Sequence, residues 1–343
     1  MHETAGTVRD WLIDGQRVAF ARVINRTGFS GDTELEFLAC NEQGDETGDL
    51  LAGTVADVSL PALRKVLAGP KGGIEVLSTT VKLQQAVDAG LSCGGSAQVL
   101  VQPADTVPSE LWSALADQHP VVLATGINGA IAELGSLVVL PGRPPFGTLG
   151  SSAADQAITE LAAKLLSGGL ASSEVVHTAD GPVLVEAFIP EPHLVVAGGG
   201  SVADALELQA SVLGWTARVA GDMSEFDAAL SWAGAAGAVI VLSHDVKYGP
   251  ESLFAALRSD SFYIGGMGSR GTQANRATRL RNLGLSEDDI HRIHGPIGLD
   301  LGGRSPAQIA LAICAEVLAV RTGRRAVNLR DTQDSIRTRK LAG

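Results

Sequence analysis

Three glycine-rich turns in the second half of the chain, each beside a polar or charged residue, describe backbone built to approach something small and anionic. Gly198-Gly199-Gly200 follows the apolar run Leu194 to Ala197 and leads through Ser201 into a helical pattern. That order supplies a tight turn, close approach of backbone to a phosphate, and free amides at the positive end of a helix. Asp222 lies 22 residues beyond Gly200, near the place where an acid meets a ribose after a second strand. Gly265-Gly266-Met267-Gly268-Ser269-Arg270 pairs loop amides with a guanidinium able to grip an oxyanion. Gly298 and Asp300, with Gly302, form the last of these turns.

Two side chains carry catalytic potential, His244 and Cys93. Ser243-His244-Asp245 is not a converging triad, because neighbours in an extended segment point to opposite faces. His244 nevertheless ends a parallel strand, where ligands bind in such sheets; the alternative is a turn histidine holding a carbonyl. Cys93, followed by Gly94 and Gly95, lacks bulky neighbours, and its thiolate is a soft ligand for a metal or a sulfur carrier. One cysteine makes no closed zinc site, and a small buried hydrophobe in a turn is the alternative. Cys40 ends a strand and Cys314 adjoins an apolar helix stripe, so both belong to the core.

The elements that position these residues fall into two parts. In the second, Leu194–Ala197, Thr216–Ala220, Ala238–Leu242 and Phe262–Ile264 read as buried strands alternating with helices, which implies a doubly wound parallel sheet. Ser224 with Asp227 suggests an N-cap, and Pro250 a first helical position. Ser305, Pro306 and Gln308 announce a helix to Arg321 whose stripe is Ile309, Ile313, Val317 and Val320, with Gly323 ending it. The first part reads as mixed α+β. Strands are expected at Arg17–Asn25, Leu35–Cys40, Ala97–Val101, Pro120–Ala124, Leu137–Leu140 and Val183–Phe188. Helices are expected at Leu60–Leu67, Val81–Ala89 and 151–169. The Pro-rich Ile189-Pro190-Glu191-Pro192 sets the domains at 1–190 and 191–325, with a basic tail over 326–343.

Composition bounds the function. A chain of 343 residues, 45% hydrophobic, suits two packed domains. Its net charge of −12 argues against nucleic acid, which needs a basic stripe. The one basic cluster is terminal, Arg321, Arg324, Arg325, Arg330, Arg337, Arg339 and Lys340, and reads as a helix end and a solvated tail. No apolar run approaches the roughly 20 residues of a membrane span. The first residues lack signal-peptide order, and three scattered cysteines suit a reducing cytoplasm. No repeat of 20–50 residues is evident.

At these residues the chain resembles the XdhC/CoxI family, accessory proteins of molybdenum hydroxylases such as xanthine dehydrogenase. The resemblance rests on Tyr263-Ile264-Gly265, Gly268-Ser269-Arg270, Pro296-Ile297-Gly298-Leu299-Asp300, and Ser305-Pro306 leading to Ile309-Ala310 and Ala315-Glu316. Weaker similarity covers Cys93-Gly94-Gly95, Gly147-Thr148-Leu149-Gly150 and Val185-Glu186-Ala187-Phe188. It implies a Rossmann-like second domain and binding of molybdenum cofactor, a pterin dithiolene with a phosphate. It further implies support of that cofactor's sulfuration and insertion into a hydroxylase partner, a cysteine desulfurase as a further partner, and a homodimer. On that reading Gly198, Gly200 and Ser201 cradle phosphate, Arg270 adds charge, and Cys93 faces molybdenum or its sulfur. The family's N-terminal Ser-Ser-Pro-Arg and Gly-Cys-Val-Glu phrases are replaced here by Arg26-Thr27-Gly28-Phe29-Ser30-Gly31 and Gly53-Thr54-Val55-Ala56. Its Gly-Ala-Gly-His turn is replaced by Gly198-Gly199-Gly200-Ser201. Two alternatives stand beside this reading: an NAD(P)- or other nucleotide-binding oxidoreductase, from the Gly198 turn and Asp222, and a diverged scaffold that assembles a partner without a ligand.

Overall fold

The computed structural model describes residues 1–29, 35–69, 73–127, 135–169, 171–242 and 248–332. They divide into two compact units, Met1–Pro190 and Glu191–Gly343.

The first unit is one design used twice. Its first half runs α1 (His2–Ile13), β1 (Val18–Thr27), β2 (Leu38–Asn41), β3 (Glu46–Gly48), α2 (Ala56–Ala68), β4 (Glu75–Val81), α3 (Leu83–Asp88) and β5 (Gly95–Pro103). Its second half runs α4 (Glu110–Ala116), β6 (Val121–Gly126), β7 (Ser136–Val139), β8 (Phe146–Thr148), α5 (Ser152–Gly168), β9 (Ser172–Thr178) and β10 (Gly181–Phe188). The strand orders are β3-β2-β1-β5-β4 and β8-β7-β6-β10-β9, the same antiparallel topology. Each half is a meander of three strands, a helix, and two returning strands. The repeat spans about a hundred residues, beyond the 20–50-residue windows that reveal solenoids.

Alternation along each strand sends side chains to two buried faces. Val18, Phe20, Phe37 and Ala39 of the first sheet meet Val121, Leu123, Val138 and Phe188 of the second, with α1 and α4 closing the same core. The opposite faces lie under helices: Ala19, Ala21, Val99 and Val101 beneath Leu63, Val66 and Leu67 of α2, and Val122, Ala124, Val183 and Val185 beneath Ile158 and Ala162 of α5. Burial on both faces makes Val121–Ala124 a continuous apolar run although the sheet is antiparallel.

Four polar residues interrupt the inner core at two equivalent positions. Gln102 lies opposite Phe20 in the β1–β5 ladder, as Glu186 lies opposite Leu123 in the β6–β10 ladder. Arg22 and Thr125 each follow two residues after Phe20 and Leu123. Arg22 joins the halves, with Nη1 2.6 Å from Glu186 Oε2 and Nη2 donating to Thr125 Oγ1 at 2.6 Å and Gln102 Oε1 at 3.3 Å. The Arg22 and Glu186 side chains are only 1% and 2% exposed. Burial pushes the Glu186 carboxyl up against the opposing pull of Arg22, and pushes the Arg22 guanidinium down.

The second unit is the doubly wound α/β layer expected from its apolar runs. β11 (His193–Ala197), α6 (Ser201–Val212), β12 (Thr216–Ala220), α7 (Met223–Ala233), β13 (Gly237–Val241), α8 (Tyr248–Leu257), β14 (Tyr263–Gly266), α9 (Arg270–Asn282), α10 (Glu287–His291), β15 (Ile293–His294) and α11 (Pro306–Arg321) follow in order. All five strands are parallel, in the order β12-β11-β13-β14-β15. One face packs on α6 and α11 through Leu194, Val196, Leu206, Ile313 and Val317. The other packs on α7 and α8 through Val195, Val239, Phe226 and Leu253.

Several local expectations change. The N-cap of α7 is Asp222, whose carboxylate accepts from the Glu225 amide, rather than Ser224. Tyr248, not Pro250, begins α8. The chain termini do not hold the only basic cluster: α9 carries Arg270, Arg276, Arg279 and Arg281 within 13 residues and no acid. Arg337, Arg339 and Lys340 lie outside the described residues. Ser305, Pro306 and Gln308 form the expected capping box of α11.

Candidate functional site

Five parallel strands release their chains at one edge, and the glycine turns identified in the sequence lie along it. The strand order places Asp222, after β12, beside the Gly198 turn after β11; the residues after β13 come next, then Gly268-Ser269 after β14, then His294 to Gly298 at β15. The chain reverses direction across the sheet between β11 and β13, the switch point that opens a crevice in such folds. His244, with Ser243 and Asp245, would stand at that crevice by sequence, but lies outside the described residues.

The turns differ in what their glycines do. Gly198 and Gly200 have φ of +102° and +104°, and Gly200 is the N-cap of α6 without a side-chain cap. A Cβ built on Gly199 or Gly200 would meet nothing within 4 Å. Ser201 is exposed, and the first amides of this twelve-residue helix receive no side-chain cap from Gly200. By contrast, a Cβ on Gly265 would lie 2.3 Å from the Ile297 side chain. Gly268, at φ +130°, is crowded by Thr272. Ser269 caps α9 by accepting from the Thr272 amide, and Arg270 stands exposed on its first turn. Beneath this loop, Gln273 Nε2 donates to the Gly266 carbonyl at 2.8 Å and Arg276 Nη1 to that of Met267 at 2.5 Å. The loop is therefore held rigid by side chains of the helix it opens.

A cluster that motif reading left without a role anchors the last turn. Glu316 of α11 accepts from Tyr263 Oη at 2.5 Å and the Gly298 amide at 2.7 Å, and lies 3.3 Å from His294 Nδ1. The Tyr263 and His294 rings stack at 4.6 Å. Burial acts to raise the Glu316 carboxyl, but the hydrogen bonds from His294, Tyr263 and Gly298 together hold it below its ordinary value. Burial and the Glu316 contact push the Tyr263 phenol up. Glu316 was visible in the sequence as one acid inside an apolar helix. Asp300 is exposed beyond this turn.

Cys93 belongs to the first unit. Its thiol is half-exposed and donates to the Gly28 carbonyl at 3.0 Å. Gly94 and Gly95 do not open space for a ligand. A Cβ on Gly94 would lie 2.3 Å from the Val81 carbonyl, and one on Gly95 2.3 Å from that of Thr27, so both residues serve the packing of β5 against its neighbours. Cys40 and Cys314 are buried, and burial raises their thiols to about 11 and about 12. Among the described residues no cluster of His, Cys, Asp and Glu could hold a metal ion, and no helix is long and apolar enough to cross a membrane.

Residues 194–317 match the model of the XdhC Rossmann domain. Over those residues the second unit is similar to the XdhC Rossmann domain. Over 84 residues, 24% of this chain and 26% of the relative, the sequence is 37% identical to the molybdenum cofactor insertion chaperone PaoD of Escherichia coli (strain K12). Over 148 residues, 38% of this chain and 27% of the relative, it is 28% identical to the uncharacterized protein YqeB of the same organism. These matches thus span about a quarter of each curated relative. A crystal structure from Bacillus halodurans, described as a xanthine dehydrogenase, shares the fold with a TM-score of 0.51 at 18% identity, over 94% of this chain and 97% of that one. Within this matched region the structure brings together Gly198, Gly200, Ser201, Asp222, Gly268, Ser269, Arg270 and Gly298 along one sheet edge.

Proposed function

We propose that this chain is a chaperone of molybdenum cofactor, binding it and supporting its insertion into a molybdenum hydroxylase of the xanthine dehydrogenase type. The observation that carries the reading is the open amide turn at Gly199-Gly200-Ser201, placed at the switch point of an XdhC Rossmann domain. The cargo's phosphate would be held by those amides, while Arg270 on the neighbouring α9 adds positive charge. The name carried by PaoD supports the cargo and the insertion step. Cys93 would offer a soft donor to molybdenum or its sulfur. Sulfuration, a desulfurase partner, a homodimer and a cytoplasmic setting belong to the same proposal. The oxidoreductase reading draws less support, because Asp222 Oδ1 is engaged at 2.9 Å in capping α7.

The test is retention of molybdenum cofactor by purified protein, measured by ultrafiltration and pterin fluorescence after oxidation, with Gly200→Asp and Cys93→Ala beside wild type. Stoichiometric binding lost in Gly200→Asp is the expected result. Absence of binding by wild type overturns the cargo reading, and unchanged retention and partner activation by Cys93→Ala removes Cys93 from it.

A further inference from the structure

The first unit holds a cavity that nothing above uses. It measures about 250 Å³ and lies where the end of β1 meets β9 and β10. Its apolar walls include Val23, Leu51, Val175 and Leu184, and its polar wall includes Glu186. Glu186 is 2% exposed, yet it contributes to this wall while its Oε2 is held by Arg22. A carboxylate offers about four acceptor positions, so one guanidinium contact leaves capacity for a ligand. Beside it the β1–β5 ladder shifts register between Val23 and Asn25, a bulge that opens the strand at the cavity wall. The β6–β10 ladder of the other half is regular from Val121 to Gly126. Glu186 itself lies on β10 of the second half, and its equivalent on β5 of the first half is the neutral Gln102. The carboxylate of the second half and the opening in the first half thus meet at this cavity.

The chemistry of the walls selects the occupant. Glu36, Glu174 and Glu186 outnumber Arg26, which disfavours phosphate. The absence of a metal-holding cluster among the described residues disfavours a divalent cation. The volume equals that of about eight waters, more than an ammonium ion needs and less than the roughly 300 Å³ at which whole-ligand pockets begin. Apolar walls around a buried carboxylate fit a flat heterocycle whose adjacent N–H and NH2 donors meet the two carboxylate oxygens. We propose that this cavity binds the 2-amino-4-oxopyrimidine edge of a bicyclic heterocycle, with Glu186 as its acceptor and Arg22 as the residue that positions Glu186. Pterins and guanine both present that edge. The choice of a pterin rests on the cargo reading above.

The experiment is calorimetric titration of the full chain with pterin, with lumazine, in which an oxo group replaces the 2-amino donor, and with guanosine. Saturable binding of pterin, roughly 10- to 100-fold weaker for lumazine, is expected from the loss of a charge-assisted hydrogen bond. Tighter binding of guanosine than of pterin keeps the edge and assigns a purine source. Glu186→Gln should weaken binding similarly, but it disturbs a buried ion pair. Val175→Trp provides the second variant, since Val175 is 44% exposed on the outermost strand β9 and a tryptophan there occupies the cavity while both members of the ion pair are kept. It should abolish binding with an unchanged circular dichroism spectrum and melting temperature. Equal affinity for lumazine, no heterocycle binding by wild type, or unimpaired binding by Val175→Trp each overturns the proposal. Retention of whole molybdenum cofactor, measured in parallel, separates the two readings. Cofactor retained without heterocycle binding removes only this cavity, whereas heterocycle bound without cofactor retained removes only the cargo assignment.

Discussion

Replacing Arg22 by methionine probes the junction between the two halves of the first unit most directly. The pair is fully buried, so the substitution strands the Glu186 carboxylate without its cation. Removing one partner of such a pair costs about 3–5 kcal/mol, far beyond the 0–1 kcal/mol of a surface bridge. Opening of β1 and β10 should then accelerate amide hydrogen exchange there by roughly 10²- to 10⁴-fold, read by mass spectrometry, with peptides of the second unit as an internal control. The double variant Arg22→Met with Glu186→Met removes both charges, and should recover to within about 2 kcal/mol of wild type after the lost bonds to Thr125 and Gln102. The pH dependence has a definite sign. Burial already raises the Glu186 carboxyl, and Arg22 is the influence that lowers it. Without Arg22 the native state binds this proton more readily than the unfolded chain does. The deficit of Arg22→Met should therefore shrink as pH falls from neutrality toward the unfolded carboxylate value of about 4.3. A single variant costing under about 1 kcal/mol, or a double variant no better than the single one, would refute the reasoning.

Three further outcomes are expected. Glu316→Gln should destabilise the second unit by about 1–3 kcal/mol in urea unfolding; because the native carboxyl is held below its unfolded value, wild type should lose its advantage as pH falls through that lowered value. Gly200→Ala should cost about 1–3 kcal/mol from its φ of +104° despite the open space, whereas Gly199→Ala, in an ordinary conformation, should stay within about 0.5 kcal/mol. Alkylation by iodoacetamide near pH 8, followed by peptide mass spectrometry, should label Cys93 well before Cys40 and Cys314, which are buried with raised thiols.

The parallel sheet was legible because its strands are buried on both faces, so Leu194–Ala197 and Ala238–Val241 stand out as apolar runs bounded by glycines. The α9 helix was not, because it buries only Arg276 and Leu280 and shows no apolar period. β4 and β9 are outermost strands with mixed exposure, and their composition resembles loop. The duplication was invisible because its two halves share a pattern of burial rather than residues: Arg22 answers to Thr125, and Gln102 to Glu186. Glycine itself was the most visible feature of the candidate site and the most ambiguous. Gly199 and Gly200 leave room for a ligand, while Gly94, Gly95 and Gly265 leave room for neighbouring protein, and only coordinates separate the two uses.

The bridge between the halves also imposes an order on synthesis. The first half is complete when β5 leaves the ribosome, and all its strands can then pair among themselves. Glu186, however, follows the end of β5 by about 80 residues, which is roughly 4–17 s of elongation at 5–20 residues per second. During that interval the first sheet holds a cation on its inner face with no counter-ion, beside the uncovered rings of Phe20 and Phe37. The nascent first half therefore waits as a half-open sandwich, and the step that closes it is the arrival of β10, the last strand of the second half, carrying the carboxylate.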